Sequence, residues 1–145
     1  MRNSGIKENV LISACLLGVH CRYDGNGNEI EQVDKLREKY NLIPVCPEVY
    51  GGLATPRDPA ERKDDKVVTK SGADVTEQFV RGAKEVMKLA KFYDCHMAIL
   101  KERSPSCGSG MIYDGTFSRK LVAGDGMLAE QLKEIRMKIV GESQI

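Results

Sequence analysis

Apolar positions along the chain fall into short runs separated by periodic amphipathic stretches. Val10 to Ala14 is a short, mainly apolar run that ends at Cys15 and is followed by Gly18, the pattern of a buried strand feeding a loop at its carboxyl end. Turn formers crowd Tyr23 to Asn28; Ile30, Val33, Leu36 and Tyr40 then recur at helical spacing, which predicts a helix capped by Asn28. Leu42 to Val45 reads as a second buried strand, stopped by Cys46-Pro47. From Pro47 to Gly72 the chain holds Pro56, Pro59, the Gly51-Gly52 pair and the charged run Glu61 to Lys66, a composition that predicts one long loop. Asp74-Val75-Thr76-Glu77 has the form of a capping box, and Phe79, Val80, Ala83, Val86, Met87 and Ala90 mark one face of the helix it would start. Met97 to Leu100 is a third strand and Leu121 to Ala123 a fourth, while Leu128, Leu132, Ile135 and Ile139 predict a C-terminal helix. Strands alternating with helices predict an α/β fold: a single Rossmann-like three-layer domain over residues 1–145, with a mostly parallel sheet. Ligands of such sheets bind beyond the carboxyl ends of the strands, where the strand order switches.

Composition narrows the function. With 145 residues the chain can build a core without a disulfide or structural metal. It carries 22 Lys and Arg against 21 Asp and Glu, a net charge of +1, which lacks the basic footprint of a nucleic-acid-binding protein and favours a small ligand. No apolar run approaches the ~20 residues that span a bilayer. Ile12-Ser13-Ala14-Cys15, with Arg2 and Lys7 upstream, has the outline of a lipoprotein signal, but its apolar stretch is too short, so a cytoplasmic protein is expected. In that compartment the five cysteines would be reduced thiols or metal ligands rather than a disulfide framework.

Three of those cysteines share a topological address. Cys15 follows the first predicted strand, Cys46 ends the second and Cys107 lies in the turn-rich loop after the third, so all three fall at one sheet edge. Three thiolates converging there suit a soft metal or an iron-sulfur cluster, and a set of three leaves a coordination position open. Spacing alone also accommodates cysteines buried as small hydrophobes. No G-x-G-x-x-G fingerprint follows the first strand, which disfavours a dinucleotide enzyme.

Several longer stretches are informative together: Ile12-Ser13-Ala14-Cys15-Leu16-Leu17-Gly18, Cys21-Arg22-Tyr23-Asp24-Gly25, Cys46-Pro47-Glu48-Val49-Tyr50-Gly51-Gly52, Thr55-Pro56-Arg57, Lys101 to Gly108 and Tyr113-Asp114-Gly115. In this order the chain resembles the thiouracil desulfidase family, from about Val10 to the last helix. The resemblance implies a Rossmann-like α/β domain holding a 4Fe-4S cluster through Cys15, Cys46 and Cys107. It implies a non-redox reaction in which the sulfur of thiouracil or a related thiolated pyrimidine binds the fourth iron and water replaces it at the ring carbon. Glu48 and Ser104 are the catalytic groups it points to, and the chemistry itself asks for a carboxylate and a short hydroxyl near the site. Arg22 and Arg57, in loops expected at the same edge, suit the phosphate of a nucleotide substrate. The partner is thus a small thiolated base or nucleotide, with neither membrane nor nucleic acid, and the protein a monomer or small homo-oligomer. Two other classes compete: a cluster- or metal-binding module, such as a sulfur carrier, without its own catalysis, and a thiol redox protein, for which no close cysteine pair in sequence speaks. Cys21, Cys95, His20 and His96 receive no role.

Overall fold

A computed structural model describes residues 6–145; Arg2 lies outside them. The chain runs through β1 (Glu8–Ser13), α1 (Val33–Lys39), β2 (Tyr40–Val45), α2 (Pro47–Tyr50), β3 (Ala60–Lys63), β4 (Lys66–Thr69), α3 (Thr76–Phe92), β5 (Met97–Leu100), β6 (Met111–Tyr113), β7 (Leu121–Ala123), α4 (Met127–Glu134) and β8 (Lys138–Gly141). The central sheet is parallel, with strand order β2-β1-β5-β8. From β1 the chain builds outward to β2 on one side and to β5 and β8 on the other, so the order switches between β1 and β5.

Alternation along the central strands divides the core between the two faces. Leu11, Ala98 and Leu100 pack with Ala83, Val86 and Ala90 of α3 and Leu128, Ala129 and Leu132 of α4. Val10, Ile12 and Ile99 face the other way, onto Leu16 and Leu36. Helices therefore cover both faces, the Rossmann-like α/β arrangement predicted. Pro44 lies within β2, an edge strand, where its missing N–H leaves no ladder bond unmade.

Several elements differ from the sequence reading. The helix after the first turn-rich segment begins at Val33, not at Asn28, and Tyr40 opens β2. The stretch 47–72 is not a plain loop: it holds α2 and the antiparallel hairpin β3-β4. The box proposed at Asp74 is replaced by a turn, in which Asp74 Oδ1 accepts from the Thr76 N–H (2.9 Å) and hydroxyl (2.6 Å), and α3 starts at Thr76 without a side-chain cap. β7 pairs with β6 in a separate hairpin. The C-terminal helix stops at Glu134; Arg136 adopts a left-handed φ of 62°, and Ile139 belongs to the edge strand β8. Its spacing from Ile135 continues the helical period by coincidence, and neither Gly nor Pro marks the break.

Candidate active site

The carboxyl ends of β1, β2 and β5 open into one cavity of about 280 Å³. Cys15, Cys46 and Cys107 all line it, together with Glu48, Ser104 and Ser106. Each cysteine is positioned by a different local device. Cys15 lies in the 3-10 turn Ala14–Leu17 that follows β1, which closes on Gly18 at a left-handed φ of 92°. Cys46 stands at the start of α2, directly after β2. Cys107 sits in the Ser104–Gly108 turn, closed by the Gly108 N–H donating to the Ser104 carbonyl at 2.9 Å.

All five cysteines are free thiols. Burial pushes the Cys107 thiol up to about 12, against the pull of the Ser13 and Ser106 hydroxyls beside its sulfur. Burial likewise raises Cys15 to about 11, opposed by Lys101. Cys46 moves the other way, to about 7, because the neighbouring Cys21 thiol and the Val49 N–H at the head of α2 favour its thiolate; as a thiol it donates to the Cys21 carbonyl at 3.7 Å. The adjacent Cys46 side chain and burial raise Cys21. Cys21 itself lines the cavity beside Cys46, a fourth thiol there that its place in the sequence did not reveal. Cys95 is buried away from the cavity, in the core beneath α3 and α4.

Glu48 is held from two sides. Arg57 Nε donates to Glu48 Oε1 at 3.0 Å, and the Ser106 hydroxyl donates to Oε2 at 3.0 Å. Arg57, expected to meet a phosphate, spends four donor contacts on the protein: besides Glu48 it donates to the Cys21 carbonyl (2.9 Å), the Ala54 carbonyl (3.2 Å) and the Thr55 hydroxyl (3.1 Å). Arg22 lines the cavity with its guanidinium 5.7 Å from the centre of the Tyr23 ring. Sequence reasoning did not single out Ser106, Ser13 or Lys101. Ser13 is the last residue of β1; its hydroxyl accepts the Lys101 N–H at 2.9 Å and so ties the ends of β1 and β5 together. The available signal for Ser106 was two hydroxyl residues flanking Pro105 just before Cys107.

Among the described residues no three His, Cys, Asp or Glu side chains close on a point that could hold a single metal ion. The cysteines share one cavity wall, and thiols on a common cavity suit a polynuclear cluster, whose ligands each meet a different metal atom. An open parallel sheet with free thiols from three adjacent strands gathered at its switch point defines an α/β protein with a thiol-lined site. The chain belongs to the 2-thiouracil desulfurase family, whose sequence profile matches residues 10–144. It is 41% identical over 146 residues to the uncharacterized protein YbbK of Bacillus subtilis (strain 168), covering 94% of this chain and 97% of that one. Among solved structures it is similar to the 4Fe-4S-dependent thiouracil desulfidase TudS, with a TM-score of 0.91 and 45% identity over 96% of this chain and 93% of that chain.

Proposed function

We propose that this protein is a 4Fe-4S-dependent desulfidase that removes sulfur from thiouracil or a related thiolated pyrimidine by non-redox hydrolysis. The observation that carries the reading is the convergence of Cys15, Cys46 and Cys107 on one cavity beside Glu48. These three residues are the ones to hold the cluster: they are soft donors, free of disulfides, on one cavity, and the ones to which the family motifs point, while Cys21, also on the cavity, stands beside Cys46 as its neighbour. When bound, a cluster held by only three thiolates offers the substrate sulfur an iron without a protein ligand, which polarises the carbon–sulfur bond.

The protein's own groups perform the rest. Glu48, fixed by Arg57 and Ser106, is the base that takes a proton from the attacking water. Ser104, three residues before Cys107 on the same turn, delivers a proton to the ring nitrogen. Arg22 at the cavity wall is the cation for the phosphate when the pyrimidine arrives as a nucleotide.

Anaerobic reconstitution tests this reading directly. Roughly four iron and four acid-labile sulfide per chain are expected in the wild type and are lost in Cys107→Ala. The loaded wild type converts 2-thiouracil to uracil with release of sulfide, and Glu48→Gln does not. Iron without turnover would leave a cluster-binding sulfur carrier; no iron in either protein would reduce the cysteines to buried thiols.

A further inference from the structure

Four side chains at the cavity form a hydrogen-bonded line whose direction the geometry fixes. Ser104 Oγ accepts two backbone N–H groups, those of Ser106 and Cys107, each at 3.1 Å. A hydroxyl has two acceptor sites and one hydrogen, so with both sites filled Ser104 can only donate further. Its neighbour at 3.0 Å is Ser106 Oγ, which is therefore the acceptor of that pair. Ser106 in turn has one hydrogen to give. The Glu48 carboxylate oxygen at 3.0 Å takes it in preference to the Cys107 sulfur at 3.7 Å. The line runs Ser104 to Ser106 to Glu48, with Arg57 holding the far carboxylate oxygen. Ser106 is 2% exposed, so bulk water does not compete for its hydroxyl.

We propose that Ser106 is the positioning residue for Glu48, an inference that rests on the role given to Glu48 above. Its only hydrogen goes to Glu48 Oε2, because the Ser104 hydroxyl donates to it, and Arg57 holds Oε1, so the carboxylate is fixed from both sides in one orientation at the cavity wall. The proton transfer itself stays with Glu48, which takes it from the attacking water; Ser106 neither gains nor loses a proton.

The test compares the reconstituted wild type with Ser106→Ala and Ser106→Thr. Ser106→Ala is expected to keep its iron and sulfide and its KM for 2-thiouracil while its single-turnover rate falls about a hundredfold, the scale of a misplaced catalytic group. Ser106→Thr retains the hydroxyl and recovers most of the rate. A rate in Ser106→Ala within about twofold of wild type overturns the proposal. A second readout needs no turnover. The carboxylate stretch of Glu48, isolated by infrared subtraction of Glu48→Gln, should shift in Ser106→Ala and stay in place in Ser106→Thr; an unmoved band overturns the hydrogen-bonded line even where desulfuration itself is not found.

Discussion

Arg57 and Glu48 form an ion pair at 3.0 Å whose side chains are only 9% and 15% exposed. The guanidinium also donates to the Cys21 carbonyl, so one side chain braces α2 against the loop that follows the first 3-10 turn. Removing one partner of such a pair leaves the other charge withdrawn from water, which costs more than the pair itself contributes. Arg57→Leu is expected to destabilise the protein by about 3 kcal/mol, read as a shift of the urea midpoint at unchanged slope, and to lower desulfuration along with it. Arg57→Lys should not restore stability, because a single ammonium cannot reach Glu48, Ala54, Thr55 and Cys21 together.

The bearing of α2 on α3 rests on two glycines. A Cβ built on Gly82 would lie 1.8 Å from the Pro47 carbonyl oxygen, and one on Gly51 would lie 2.0 Å from that of Gln78. Both contacts are with backbone, which cannot swing aside. Gly82→Ala, a favourable change for an ordinary helix interior, should here cost about 2 kcal/mol or more through overpacking. Because Cys46 directly precedes α2 and α2 carries Glu48, the strain falls on the site. Iron retained after reconstitution should drop in Gly82→Ala, while the same substitution at Gly72, where a Cβ meets no atom and the cost is only the backbone strain of a φ of 99°, should leave it unchanged.

Where the sequence could be read and where it could not follows from the range of the interactions. β1, β5 and the buried face of α3 are written in local apolar periodicity, and they place Cys15 and the turn holding Cys107 at the same end of the sheet. α2 has four residues and no periodicity to display. Hairpin β3-β4 is coded in charged residues: Glu61 accepts the N–H groups of Gly115 (2.9 Å) and Phe117 (3.1 Å), and the buried Arg62 reaches Glu130 (2.9 Å) and the Asp125 carbonyl (2.8 Å), partners more than fifty residues away. No local pattern announces them. β8 went unread because an apolar spacing shared with α4 continued across an unmarked break at Arg136. Within the site, the cysteines and Glu48 were visible through their motifs, whereas the commitment of Arg57 to Glu48 and the position of Ser106 depend on side-chain contacts that spacing does not encode.

Acid should loosen the C-terminal end of the sheet. Glu102 accepts the Ser143 hydroxyl and its N–H, and these bonds, with Lys101 and Arg103 nearby and despite burial, hold its carboxyl below the ordinary value of 4.5. A carboxylate with a depressed folded-state pKa binds its proton first in the unfolded chain. Its contribution is therefore present above about pH 4.5 and lost as pH falls through the lower folded value. Unfolding midpoints measured from pH 7 to pH 3 should decline below that point in the wild type, and the decline should be shallower in Glu102→Gln. Parallel slopes for the two proteins would show that the bond to Ser143 is not made in solution.

The last strand reaches the site through a second carboxylate. Glu142, directly after β8, pairs with Lys101 Nζ at 2.5 Å and accepts the Glu102 N–H at 2.6 Å, so the chain end clasps the loop that leads from β5 to Cys107. Lys101 lines the cavity and lies near the Cys15 sulfur. Glu142→Gln keeps an acceptor for the backbone N–H but removes the charge, which separates the two contacts. With Lys101 and Glu142 at 25% and 17% exposure, solvent screens the pair in part, and a double-mutant cycle of Glu142→Gln with Lys101→Met should give a coupling of about 1 kcal/mol. That coupling should shrink as salt is raised. A value near zero at low salt would mean that the clasp is carried by the backbone bond alone, and Glu142→Gln would then leave both stability and iron content at their wild-type values.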